Sequence, residues 1–225
     1  MKWNNTRFGI VPPERSIKFT RKVFVSCSKR PGHIEVQVYE PTSIPIEERK
    51  SLPVLINLHG SGFILPNLGD DAEYCTHWAD TLGCVVLDMD YVKGPEKPYP
   101  AACEDALDVI SYVKANPKLF DSSRIALCGF SAGASIALLA GTQSPVGIIK
   151  AVVAWYPWTD FSLPRPSPPI PEDMPAVYVS TEMFDLFQSS WVRPGQDLQD
   201  PKLSVSYAAP GSFPSTTIIV SDYSN

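Results

Sequence analysis

Histidine is scarce: the chain holds three, His33, His59 and His77, and none follows position 77. Positive charge is also in deficit. The formal net charge is −5 and no run of Lys and Arg occurs, which argues against nucleic acid or an anionic membrane surface as partner. Long apolar runs are absent. The longest stretches are strand-sized, well short of the roughly 20 residues that span a bilayer. The start, Met1 to Arg7, has no apolar h-region, so a secretory leader is not expected. The five cysteines (Cys27, Cys75, Cys84, Cys103, Cys128) are odd in number and show neither C-x-x-C nor metal spacing with histidine. These absences predict free thiols in a reducing, cytoplasmic setting, with no metal and no cofactor.

What is abundant is proline, 23 residues. Many fall between Pro157 and Pro175, and the string Leu163-Pro-Arg-Pro-Ser-Pro-Pro-Ile-Pro171 cannot be regular helix or inner strand. It predicts an extended loop or the entry to a cap.

The remaining segments alternate in type. Lys22–Cys27 and His33–Tyr39 alternate polar and apolar around a Pro31-Gly32 turn, as an antiparallel pair with one wet face does. Pro53–Leu58 and Cys84–Asp90 are continuous apolar runs, expected of strands buried on both faces. Arg124–Cys128, Ile148–Trp155 and Ser215–Ser221 read as further strands. Between them lie predicted helices at Asp71–Leu82, stopped by Gly83, at Ala101–Ala115, with a stripe of Cys103, Ala106, Leu107, Ile110 and Val113, and at Ala132–Gly141. This order predicts an α/β fold: a mostly parallel sheet with helices on both faces.

Two glycine-rich loops carry the chemistry. Gly129-Phe130-Ser131-Ala132-Gly133 joins a buried strand to a small-residue helix, the setting in which G-x-S-x-G acts as a nucleophile elbow. The turn strains Ser131, a side chain at 129 or 133 would collide with neighbouring elements, and the hydroxyl is lifted to a helix N-terminus. His59-Gly60-Ser61-Gly62 directly follows the strand Pro53–Leu58. The N–H groups of Ser61 and Gly62, with that of Ala132, would form an oxyanion hole.

These residues resemble the hormone-sensitive-lipase-like branch of the α/β-hydrolases, which includes many carboxylesterases. His59–Gly62 is similar to that family's H-G-G-G, with Ser61 in place of one glycine. Asp90-Tyr91 through Pro95-Glu96, then Tyr99–Ala102 and Glu104-Asp105, resemble its D-Y-R-x-A-P-E…F-P-A-x-x-x-D stretch. Trp155–Asp160 is similar to S-P-W-x-D, and Asp200–Ser204 to D-P-x-x-S. The resemblance implies a carboxylesterase-like serine hydrolase acting on a small-molecule ester, and the aromatics of the expected cap suggest an apolar acyl or aryl group on it. It makes Ser131 the nucleophile, Ser61, Gly62 and Ala132 the oxyanion donors, and His59, Gly60, Gly129 and Gly133 loop-shaping residues. It implies a single domain over 1–225, with cap elements near 1–22 and 161–194. Trp158, Phe161, Tyr178, Phe184, Phe187 and Trp191 would line that cap or simply pack it.

The pattern breaks at the end. A serine nucleophile needs a base and an orienting carboxylate, in the chain order Ser, Asp or Glu, His. His33 and His77 fall in an early strand and helix, and the resemblance makes His59 a loop residue. The family's acid falls near Asn225, with Asp222 about three residues early, and the histidine, the final strand and the closing helix have no counterpart. Losing such a base costs on the order of 10⁶ in kcat. Three expectations stand side by side. The sequence is truncated, with acid and base beyond Asn225. Or the protein has lost its triad, and either uses the oxyanion hole for a lactone or thioester rearrangement or pairs its open sheet edge with another subunit, as in a homo-oligomer. Or it is a non-hydrolytic binding protein with a hydrolase-like pocket. In the 225-residue chain taken alone, Thr216–Ser221 would be an uncovered edge strand.

Overall fold

A computed structural model describes residues 19–49, 51–163 and 181–221. Seven strands, β1 (Arg21–Ser26), β2 (His33–Tyr39), β3 (Val54–Leu58), β4 (Val85–Met89), β5 (Ile125–Phe130), β6 (Ile149–Trp155) and β7 (Thr216–Val220), form one sheet. Their order is β1-β2-β4-β3-β5-β6-β7. The first two pairings, β1 with β2 and β2 with β4, are antiparallel, and the rest are parallel. Every predicted strand is present.

The reasons are local. In β3 and β4 every residue is buried, because helices cover both faces of these central strands. In β2 the burial alternates over its first six residues, with Ile34, Val36 and Val38 inward. α1 (Ala72–Leu82) ends at Gly83, whose φ of 59° is the left-handed cap that glycine adopts without strain. α2 (Ala101–Ala115) buries Cys103, Ala106, Ile110 and Val113 of the predicted stripe, and Leu107 packs at its border. α3 (Ala132–Gln143) is buried from Ala132 through Gly141. A helix apolar all round must lie inside, and its small residues let it approach the sheet closely.

α2 and α3 cover one face, in a core with Ile56, Leu87, Leu127 and Val152. α1 covers the other, where Cys75 and Ala79 meet Leu55, Val86 and Cys128. All five cysteines are free thiols, four of them buried. No helix among the described residues is long and apolar enough to cross a membrane.

Two features were not anticipated. α4 (Thr181–Trp191) is a regular helix inside the expected cap segment. Its stripe of Met183, Phe184, Phe187 and Trp191 has helical spacing, but the proline-rich stretch before it masked the signal. Trp191 is fully buried, stacked on Phe63 at 4.4 Å and edge-on to Tyr99 at 5.6 Å. Trp191 and Phe161 therefore belong to the core. Residues 1–18, 164–180 and 222–225, with Tyr178, Asp222 and Asn225, lie outside the described residues. β7 borders the sheet, paired with β6, and exposes about half of Ile218 (49%) and Ile219 (52%).

Candidate active site

β3 lies between β4 and β5, so the chain leaves it in both directions. Such a switch point opens a crevice at the carboxyl ends of the strands. Leu58 and Gly129 are register partners at that end. The loops that follow them, His59–Gly62 and Phe130–Ala132, therefore emerge side by side.

Ser131 has φ 51° and ψ −119°, a conformation that L-residues rarely hold and that costs on the order of 1–3 kcal/mol. Its own N–H donates to Trp155 O at 2.9 Å on β6, and its carbonyl accepts from Ser135 N at 3.1 Å in the first turn of α3. Ser135 Oγ accepts the N–H of Trp158 at 2.8 Å, which ties the loop after β6 to the same turn. The two elbow glycines are required by space. A Cβ on Gly129 would lie 2.5 Å from the Gly133 carbonyl, and one on Gly133 would lie 2.0 Å from Leu58 O and 2.5 Å from His59 O. The start of α3 thus rests on the backbone of the neighbouring loop.

That loop approaches Ser131 from the β3 side. A Cβ on Gly60 would meet ordinary contacts only, with Ser131 Cβ at 3.8 Å. Glycine at 60 leaves the space beside Ser131 open. Gly62 has φ 54°, and the ring of Phe187 from α4 lies 2.4 Å from where its Cβ would be. Among the described residues no acceptor takes the N–H of Ser61, Gly62 or Ala132. Three unengaged donors therefore lie on the two loops that emerge beside one strained serine, donors of the kind that can hold an oxyanion.

The histidines are placed elsewhere. His33 and His77 are exposed. His59 is fully buried and stacked on Tyr91 at 4.7 Å. Its Nδ1 lies 3.2 Å from Gly60 O and its Nε2 3.8 Å from Asp90 Oδ1, an ion-pair distance rather than a hydrogen bond. Among the described residues no histidine nitrogen is hydrogen-bonded to Ser131. The facing His59 ring, together with Lys93 at 3.0 Å, holds the Asp90 carboxyl down at about 2.

Other residues of the expected motifs anchor loops. Asp105 takes two hydrogen bonds from Arg30 (2.7 and 2.8 Å) and one from Val92 N–H (2.9 Å), pinning the segment after β4 to α2. Ser204 Oγ accepts Phe161 N–H at 2.9 Å and donates to Leu198 O at 2.6 Å.

Two hollows of about 490 and 410 Å³ occur among the described residues. The first is walled by Asp90, Tyr91, Lys93 and Glu35, the second by Phe161, Asp185 and Gln188. Neither includes Ser131. Trp158, Phe184 and Phe187 form an edge-to-face series, with centroids 5.7 and 6.4 Å apart, whose last ring lies over Gly62.

One cluster was missed from sequence. Asn57 and Asp88 are register partners inside β3 and β4. The Asn57 amide donates to Asp88 Oδ1 at 2.8 Å and to Asp71 Oδ2 at 3.0 Å, and Gly69 N–H donates to Asp88 Oδ2 at 3.2 Å. Burial, reinforced by the neighbouring Asp71 charge, pushes the Asp88 carboxyl up to about 8. Polar residues interrupting two otherwise apolar runs were the available signal.

A profile of the family described as alpha/beta hydrolase fold matches residues 55–224. Carboxylesterase NlhH of Mycobacterium tuberculosis is 33% identical over 184 residues, which are 80% of this chain and 56% of that protein. Esterase LipI of the same organism is 31% identical over 175 residues, 76% of this chain and 53% of LipI. The chain spans about half the length of these curated relatives. Among solved structures, a hyperthermophilic esterase from the archaeon Pyrobaculum calidifontis superposes with a TM-score of 0.77 at 24% identity, covering 92% of this chain and 67% of that one. A bacterial heroin esterase gives 0.75 at 18% identity, covering 89% and 74%. At such identities the superpositions speak for the fold alone.

Proposed function

The chain belongs to the α/β-hydrolase fold family, and from that premise we propose that it carries the nucleophile and oxyanion loop of a serine ester hydrolase. The observation that carries this reading is the positive φ of Ser131 at the mouth of β5, beside a loop with unengaged N–H groups. Strain of this kind gathers at active sites and ligand clamps, and the unengaged N–H groups beside a serine hydroxyl favour chemistry through an oxyanion.

In this reading Ser131 Oγ attacks the ester carbonyl. The N–H groups of Ser61, Gly62 and Ala132 take the oxyanion of the tetrahedral intermediate, the alcohol departs, and water hydrolyses the acyl-enzyme to a carboxylic acid. The proton on Ser131 must pass to a base, and among the described residues no histidine nitrogen is hydrogen-bonded to Ser131. The aromatic series Trp158, Phe184 and Phe187 supports an apolar acyl or aryl substrate of small to medium size, and the printed names of the relatives, carboxylesterase and esterase, agree with it. Cap elements of a single domain are proposed near 1–22 and 161–194, apart from Arg21 and Lys22 in β1 and from Phe161 and Trp191 in the core.

The test uses the 225-residue chain and a fluorophosphonate probe. We expect labelling of Ser131, faster when imidazole is added as an external base, and none in Ser131→Ala. Labelling that persists unchanged in Ser131→Ala, or no labelling of the wild type at any imidazole concentration, would overturn the assignment.

A further inference from the structure

The side chain of Ser61 has a task that its proposed amide role does not cover. Ser61 is buried, with 3% of its surface exposed. Its Oγ accepts the N–H of Phe63 at 2.9 Å and lies 2.7 Å from Tyr91 Oη. Tyr91 Oη is also 2.6 Å from the carbonyl oxygen of His59. A carbonyl can only accept, so the tyrosine proton is committed to His59 O. The proton in the Ser61–Tyr91 contact must then come from Ser61. An amide can only donate, which fixes the last link. Every direction is determined: Phe63 N–H to Ser61 Oγ–H to Tyr91 Oη–H to His59 O.

This chain leaves the loop at residue 63, passes through Tyr91 and returns at residue 59. The two N–H groups of the proposed oxyanion hole, on Ser61 and Gly62, lie inside the closed circuit. Tyr91 itself cannot yield. It is fully buried, the His59 ring stacks on one side at 4.7 Å, and the Lys93 ammonium sits over its ring at 3.9 Å. Lys93 Nζ also donates to the Tyr91 carbonyl. A glycine at 61, as in the H-G-G-G that this loop resembles, would open the circuit and leave the buried Phe63 N–H without an acceptor.

We propose that Ser61 is a positioning residue: its hydroxyl, relayed through Tyr91, clips the loop 59–63 shut and so sets the direction of the Ser61 and Gly62 N–H groups. The catalytic meaning of the clip rests on the hydrolase reading. The clip itself is a statement about the loop and is measurable without turnover.

The experiment compares the wild-type chain with Ser61→Ala, Tyr91→Phe and the double variant. Amide exchange at residues 60–63 is followed by NMR, and hydrolysis of p-nitrophenyl butyrate is measured alongside. Phe63 N–H exchange should rise about tenfold or more in Ser61→Ala. The double variant should be no worse than the more affected single variant, because the two hydroxyls act through one chain. With an active wild type, kcat should fall on the order of tenfold in Ser61→Ala with KM unchanged, less than the roughly 10²–10³ lost with a whole oxyanion donor. A side chain that only fills space would move neither the kcat–KM split nor the cycle. Unchanged Phe63 exchange in Ser61→Ala, single effects that add fully in the double variant, or an unaltered kcat against an active wild type would each overturn the proposal. If the wild type neither turns over ester nor is labelled at Ser131, the hydrolase reading falls, and the exchange and the cycle alone decide the clip.

Discussion

Gly133→Ala is expected to cost at least about 4 kcal/mol, enough to unfold a domain of ordinary stability. A single methyl produces this effect because of what it meets. The added carbon would lie 2.0 Å from Leu58 O, 2.5 Å from His59 O and 2.6 Å from Leu58 C. These are backbone atoms at the end of a central strand and cannot rotate away as a side chain would. Relief requires α3 to lift from the sheet, and α3 is buried along its length through Gly141. The measurement is a urea midpoint by circular dichroism. Gly211→Ala is the control, since a Cβ there meets nothing within 4 Å, and it should change the midpoint little. Equal midpoints for the two variants would show that the elbow is not packed as described.

The second large effect concerns pH. Asp88 is wholly buried with its carboxyl raised from 3.8 to about 8. Burial likewise raises Asp71, and both carboxyls accept from the one Asn57 amide. Tyr39, Cys75, His59 and Asp90 are the other titratable groups nearby. Among the described residues neither Asp71 nor Asp88 has a Lys or Arg ion-pair partner. Folded Asp88 keeps a proton that the unfolded chain releases above about pH 4. The folded state therefore binds more protons across the interval from about 4 to 8, and stability falls as pH rises through it. The contribution is complete below the unfolded value and lost above the folded one, and a shift of this size amounts to several kcal/mol. Urea midpoints at pH 5 and pH 8.5 should differ accordingly in the wild type. In Asp88→Asn the difference should shrink. A wild-type midpoint that is flat or rises over that interval would show that Asp88 is ionised in the fold.

The sheet was legible because its signal is local. Val54–Leu58 and Val85–Met89 are apolar runs bounded by turn residues, and Gly83 announces the end of α1. The elbow was legible for the same reason, since a strand, two glycines around a serine and a small-residue helix occupy adjacent positions. What sequence could not supply was anything that depends on distance across the fold. Ser61 reads as a departure from a glycine motif, and only the position of Tyr91, 30 residues on, gives its hydroxyl a partner. Phe187 reads as one aromatic among several, and its place over Gly62 follows from how α4 docks. Asn57 and Asp88 each interrupt an apolar run, but their pairing as a buried polar couple follows only from the β3–β4 register. Trp191 and Phe161, grouped with cap aromatics by their neighbourhood in sequence, turn inward because the core beside Phe63 and Tyr99 has room for them.

The pairing of Leu58 with Gly129 bears on how the site would fail. The two loops of the candidate centre are fastened to adjacent strands in the middle of the sheet, and the start of α3 bears on both. Their separation therefore has no soft coordinate. It cannot drift by a fraction of an ångström on warming, as a site assembled across a hinge can, because any change breaks ladder hydrogen bonds in the slowest-exchanging part of such a molecule. Thermal loss of Ser131 reactivity should accordingly be abrupt, sharing one midpoint with the loss of far-ultraviolet dichroism.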